Sequence, residues 1–346
     1  MRTIKISIIA FMLVVSTIVG AQDIHFSQFY NSPLTLNPAY TGAFNGDYRF
    51  AGIYRSQWGN LSLFSTPDLS FDMPLPLKLG NDKLAVGANI YSDNQGKSQS
   101  SSAAIFTQTN IMLSTAYHKI LDADQKHSLS IGVQFGIVQK ALNSNQLTFG
   151  SQFDGLTINQ NNASGETFSN KSLFAFNTHL GVAYAFKVNN RLTTRTGLAL
   201  FNLIQPKETY LTNSNGGNIG MRFSLNLGAD YEISSKFSLH PSVLYLKQRA
   251  SNDFNIGTAL GYNISALAKA DARLFGGLWF RTQDSDLIPM VGLAYKTWKF
   301  GFSYDTNLAT INNFSGKNAK AFEVSLIYIM KFVSPVKDVT LPCLRF

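Results

Sequence analysis

The chain of 346 residues has a single cysteine, Cys343. That excludes an intramolecular disulfide and any multi-cysteine metal site. Charge is scarce too: Asp, Glu, Lys and Arg make up 14% of the residues, against ~25% in ordinary soluble domains. A soluble protein this poor in charge disperses badly. Beyond Val19 no run approaches the ~18 consecutive apolar residues of a helical bilayer span. The five histidines, His25, His118, His127, His179 and His240, never stand three to five positions apart, so no short-spaced metal pair exists. No G-x-S-x-G turn occurs, and Gly216-Gly217 and Gly276-Gly277 lack a phosphate-binding spacing. No cofactor, metal or catalytic residue is expected. The net charge of +9 is spread without a Lys/Arg cluster, so no nucleic-acid partner is expected.

What is present begins with an export signal. Arg2 and Lys5 form a basic start, residues 6–15 a mostly apolar run, and Val19-Gly20-Ala21 a small-residue cleavage site. Cleavage is placed after Ala21, so 1–21 is the signal peptide and Gln22 the first mature residue. The apolar run is short for a membrane anchor, and Gln rather than Cys at position 22 argues against a lipoprotein. Without Arg2 and Lys5 there are 27 basic and 20 acidic residues, a net +7.

The body of the chain alternates. Leu129, Ile131, Val133, Phe135 and Ile137 are apolar, and Ser128, Ser130, Gly132, Gln134 and Gly136 between them are small or polar. A period of two puts one face of an extended strand in an apolar medium and the other in a polar one. About fourteen such strands are predicted: 47–58, 69–73, 84–91, 105–118, 128–138, 172–186, 192–201, 221–233, 237–246, 254–264, 272–281, 288–295, 298–305 and 321–329. Many alternating strands and no apolar helix predict an all-β transmembrane antiparallel barrel over 47–330. Aromatics near strand ends, such as Tyr54, Trp58, Tyr117, Tyr184, Tyr231, Trp279, Tyr295, Trp298 and Tyr328, fit the two interfacial girdles.

Connection lengths give a sidedness. Short turns fall at 187–190, 234–236 and 296–297, and the long polar connections 92–102, 140–171, 205–220 and 306–320 fall mostly at the other parity. Periplasmic turns are short and outer loops long, which puts residue 22 on the periplasmic side. The connections after the ninth and eleventh strands are shorter than this scheme wants.

Charges inside strands follow the polar face. Arg195, Arg222, Asp230, Glu232, Arg273, Arg281, Asp305 and Glu323 are placed on the lumen side, because a mid-bilayer charge on the lipid side costs ~2–4 kcal/mol. Two readings are open, a charged conduit or partner-binding lumen and a set of ion pairs bracing the barrel; bracing is preferred. His179 and His240 share the polar face and read as hydrogen-bonded lumen residues.

Residues 22–46 have no strand or helix period, yet they are dense in Phe26, Phe29, Tyr30, Tyr40 and Phe44 and carry Pro33 and Pro38. The segment is too apolar for a free tail. It either folds back into the barrel mouth as a plug or binds a periplasmic partner. Phe26, Gln28, Phe29, Tyr30, Asn37, Pro38 and Tyr40 are its candidate contact residues.

The same residues carry a resemblance. Gln22-Asp23-Ile24-His25-Phe26-Ser27-Gln28-Phe29-Tyr30 and Leu36-Asn37-Pro38-Ala39-Tyr40-Thr41-Gly42 resemble the opening of the PorP/SprF family of Bacteroidetes outer-membrane proteins. Tyr54-Arg55-Ser56-Gln57-Trp58, Phe149-Gly150-Ser151-Gln152-Phe153-Asp154, Gly276-Gly277-Leu278-Trp279-Phe280-Arg281 and Phe302-Ser303-Tyr304-Asp305 are similar as well. The tail, 331–346, ends in Pro342-Cys343-Leu344-Arg345-Phe346, like the family's usual Cys-Pro-Arg-Phe ending but with Leu344 where proline is common. The resemblance implies a non-enzymatic outer-membrane component of the type IX secretion system, which also serves gliding motility. It implies a secreted partner, often an adhesin whose C-terminal domain is exported or held at the surface, and contact with the periplasmic secretion ring. On this reading the outer loops 140–171 and 306–320 meet the partner. The rival reading is a passive porin.

Overall fold

The computed structural model describes residues 23–57, 63–77, 79–97, 104–144, 147–159, 161–168, 171–210, 217–268, 270–283, 285–308 and 320–331. The expected signal peptide and Gln22, Trp58, Cys343, the tail beyond 331 and most of connection 306–320 lie outside the described residues.

Fourteen antiparallel strands close into a barrel. In chain order they begin with β1 (Tyr48–Gln57), β2 (Leu63–Pro74), β3 (Lys83–Lys97), β4 (Phe106–Ile120), β5 (His127–Leu142), β6 (Ser172–Lys187) and β7 (Leu192–Phe201). A two-stranded hairpin, β8 (Lys207–Glu208) and β9 (Gly217–Asn218), interrupts them outside the wall. The wall resumes with β10 (Arg222–Glu232), β11 (Phe237–Gln248), β12 (Ser251–Asn263), β13 (Ala272–Arg281), β14 (Asp286–Tyr295), β15 (Trp298–Asn307) and β16 (Lys320–Met330). Each strand pairs with its neighbour, and β16 returns to β1 in register Tyr48↔Met330 through Gln57↔Ala321. Closure pairs every wall strand with a neighbour on both sides, as hydrocarbon demands.

The alternation in the sequence becomes the two sides of the wall. On β7 and β10, Leu198 and Leu227 are more than 40% exposed on the outside, whereas Arg195, Asn226 and Asp230 are buried inside. Outward Tyr54, Tyr117, Tyr184, Tyr231, Tyr295 and Trp298 are exposed as girdle residues are. Trp279 corrects the expectation: it lies on the inward side, 1% exposed, with its indole N–H donating to Ser242 (3.0 Å). It shares the parity of Arg281, so alternation places it in the lumen however near the strand end it lies.

The fourteen strands match the fourteen predicted, with two much longer. β2 begins at Leu63, six residues before its predicted start at Leu69. Pro67 is paired on the β1 side, opposite Tyr54, and skipped by β3. That is where a residue without an N–H fits a strand. The upper half of β3, from Ser92, is polar on both sides, so no period betrays it. The β8–β9 hairpin was expected only as loop.

A candidate functional site in the barrel lumen

The lumen is occupied by the chain's own start. Residues 26–44 are nearly all buried against the inner wall. Three tight turns shape them: 3-10 turns at Phe29–Asn31 and Pro38–Tyr40 and one helical turn at Pro33–Leu36. Pro33 and Pro38 open their turns, where a missing N–H costs nothing. The Asn37 side chain accepts the Ala39 N–H (2.8 Å) and caps the third turn.

Four sets of contacts fix the segment along the barrel axis. At the long-loop end, the Asp23 N–H donates to Gln248 (2.7 Å), and Arg222, stacked over the Phe201 ring at 4.1 Å, donates to the Ile24 carbonyl (2.7 Å). Just below, Glu323 accepts the backbone N–H groups of both Ser27 (2.6 Å) and Gln28 (2.8 Å). The Ser27 hydroxyl donates to Asp305 (2.7 Å) and accepts from Arg55 (2.7 Å) and Arg281 (2.5 Å). The same groups pair with one another: Arg55 with Asp305 (2.8 Å) and Glu323 (2.5 Å), and Arg281 with Asp305 (3.1 Å). Ser27 therefore sits at the centre of a buried ionic cluster.

At mid-height, the Asn37 amide donates to two wall carbonyls, Val182 and Leu198, at 3.1 Å each. It gets that close because Gly132, Gly181 and Gly197 line a shelf on β5, β6 and β7. Gly132 and Gly181 are direct cross-strand partners. A Cβ at Gly181 would stand 1.9 Å from the Asn37 side-chain oxygen, and one at Gly132 2.3 Å from the Pro38 carbonyl oxygen. Tyr40 accepts a hydrogen bond from Asn226 (2.5 Å), and Ser32 donates to Asp68 (2.5 Å).

At the short-turn end, Arg49 and Asp72 form a two-pronged pair (2.9 and 2.7 Å). Arg49 also donates to the Tyr40 carbonyl (3.1 Å) and stacks on Phe44, while Asp72 accepts the Gly42 N–H (2.6 Å). The His118 ring lies 2.7 Å from the Thr41 carbonyl through Nε2. Gly42 is needed here, since it has a φ of +71° and a Cβ would overlap that of Ala85. Apolar contacts complete the fit: Tyr30 packs between Phe29 (5.3 Å) and Trp279 (5.4 Å). Beside the segment are two voids of about 20 Å³, one lined by Tyr30 and Met290 and the other by Arg195 and Asp230. Each has room for about one water.

Phe26, Gln28, Phe29, Tyr30, Asn37, Pro38 and Tyr40 all lie in the lumen and are buried. Of the charges, Arg281, Asp305 and Glu323 come together around Ser27. Arg195 and Asp230 pair at 2.6 Å, and half-buried Arg273 and Glu232 at 3.0 Å. Arg222 stands apart and holds segment carbonyls. Arg49, Asp68, Asp72 and the glycine shelf are not singled out from the sequence, and Arg55 only within the Tyr54–Trp58 motif. Arg49 and Arg55 alternate against Tyr48, Phe50 and Tyr54, so their inward parity was readable. Asp68 lay outside its short predicted strand.

One arrangement has the look of catalytic machinery. Ser238 is 2.9 Å from His240 Nε2, and His240 Nδ1 is 2.7 Å from Asp230. Asp230 is also held by Arg195, however, and Ser238 accepts from Arg273 at 3.1 Å while 1% exposed. A nucleophile needs an approach for the reacting atom; here the hydroxyl is buried and accepts from a guanidinium, and the chain of groups links side chains of β7, β10, β11 and β13.

Fold and lumen define an outer-membrane β-barrel whose N-terminal segment lies inside it. A family model described as type IX secretion system membrane protein PorP/SprF matches residues 18–328, and the chain belongs to that family. No curated protein matches it. Among solved structures, the Pseudomonas putida toluene transporter TodX is 10% identical with a TM-score of 0.51, over 86% of this chain and 92% of that one. The Ralstonia pickettii toluene transporter TbuX is 13% identical with a TM-score of 0.48, over 87% and 94%. At such identity the likeness is one of fold.

Proposed function

We propose that this barrel assists the export or surface anchoring of a secreted partner of the type IX system, with its N-terminal segment as a resident plug. The family supports the secretion role, and the observation that carries the plug is the filling of the lumen from Asp23 at one end to Phe44 at the other. Both termini of the barrel wall fall at the short-turn end, so the segment runs from near the outer mouth back to the periplasmic rim. A barrel filled in this way is a poor passive porin, and the bilayer conductance of the intact protein is expected to be small. The outer loops and the mouth above Ser27 are the surfaces left for a partner.

The test is a strain lacking the gene, complemented with the full chain or with a chain lacking residues 23–45. The full chain restores secretion of the partner to the medium or cell surface. The shortened chain inserts but does not. Normal secretion without the gene removes the reading.

A further inference from the structure

The wall is not of even height. β5 and β6 pair over fifteen positions, from His127↔Phe186 to Ala141↔Ser172. On its other side β6 pairs with β7 only from Lys187 up to Leu180↔Leu200. Above that, the Leu203 N–H reaches the Thr178 carbonyl (3.0 Å). Among the described residues, no strand lies beside Ser172–Phe176.

The free row can be identified by residue. The Leu142 N–H donates to Lys171 O and the Lys187 N–H to Lys126 O, both at 2.8 Å. Odd-numbered residues of β6 thus bond to β5, and even-numbered ones direct their N–H and C=O groups to the opposite side. Phe174 and Phe176 present those groups beyond the end of β7. Their side chains, on the outer face, are 70% and 61% exposed. Leu173-Phe174-Ala175-Phe176 contains neither proline nor charge, the usual means by which an edge is blunted.

Neither solvent suits this edge. In hydrocarbon, an open row of backbone groups is costly. In water, two neighbouring phenylalanines are left uncovered. An apolar extended strand meets both demands, by completing the hydrogen bonds and covering the rings. The chain's own connection 211–216, outside the described residues, reads Leu-Thr-Asn-Ser-Asn-Gly, too polar a sequence for that role.

Resting on the secretion reading above, we infer that the raised edge of β6 at Phe174 and Phe176 takes an extended, apolar β-strand of the exported partner. The strand would add at the outer mouth, beside the wall. Contact there is uncharged, so it is insensitive to salt.

The test uses the full-length protein in its own outer membrane, with p-benzoylphenylalanine replacing Phe174 as photo-crosslinker. Expected is an adduct with the exported partner, mapped by mass spectrometry to an extended apolar segment, and none when the probe replaces Leu198 on the paired wall. Phe176→Pro removes one N–H from the edge and abolishes the adduct, while folding is checked by unchanged heat-modifiable migration. In the unmodified protein, hydrogen exchange at the Phe174 and Phe176 amides is fast alone and slow with the partner bound. An adduct only with lipid or with a second copy overturns the inference. So does normal export by a folded Phe176→Pro protein in a strain where loss of the gene blocks export; that outcome leaves the secretion role standing.

Discussion

Glu323, on the last strand of the barrel, holds the backbone N–H of Ser27 at 2.6 Å across 296 positions of sequence. One carboxylate thus joins the closing seam of the wall, through Arg55 on β1, to the segment inside it. Because every member of the cluster is buried, removing one strands the others. Breaking such a pair costs roughly 3–5 kcal/mol. Arg281→Ala and Glu323→Ala are each expected to lower the temperature at which the folded barrel loses its fast gel migration. An unchanged profile with lost secretion would instead assign the cluster to partner binding.

The glycine shelf gives a sharper expectation. Gly181→Val puts side-chain carbons where the Asn37 oxygen lies, and the segment has to leave its seat. The wall at that height tolerates valine, a good strand residue. The variant should insert and migrate as a barrel yet conduct ions in planar bilayers far more than the parent. Equal, low conductance in both would mean that the segment does not close the lumen.

Asn37→Ala removes one side chain that bridges two wall carbonyls and caps its own turn. Losing a buried hydrogen-bonding partner costs about 1–3 kcal/mol. Heat denaturation followed by gel migration should show a smaller loss than for Arg281→Ala, with Asn37→Asp as severe as alanine because it cannot donate to Val182 and Leu198.

Leu198 tests the membrane face. It points outward midway along β7, where an arginine costs roughly 2–4 kcal/mol at the bilayer midplane. Leu198→Arg should lower folding yield into lipid vesicles, whereas Leu156→Arg, on the long loop between β5 and β6 (91% exposed), should not. Equal yields would misplace the lipid belt.

The long loop between β5 and β6 carries a pH signature. Asp154 accepts the backbone N–H groups of Thr157 (2.8 Å) and Leu156 (3.0 Å), and these bonds hold its carboxyl below the usual carboxylate range. A lowered carboxyl contributes order that is present above its unfolded pKa, about 3.9, and lost as pH falls through the lower folded value. Amide exchange at Leu156 and Thr157, corrected for its intrinsic pH dependence, should lose protection below about pH 4. Asp154→Asn should weaken that pH dependence.

Alternation of side chains determined the strands, their number and the two faces, because a period of two is local and is written residue by residue; the family resemblance rested on separate motifs such as Leu36–Gly42. It also placed Arg281, Asp305 and Glu323 inward. It left open whether residues 22–46 entered the barrel or met a periplasmic partner, since that choice depends on groups hundreds of positions away. Only closure of the barrel brings Glu323 and Arg55 to Ser27, stacks Gly132 beside Gly181 beneath Asn37, and leaves β6 standing above β7. Local pattern fixes which side a residue faces; what it faces there is set by register and strand length around a closed wall.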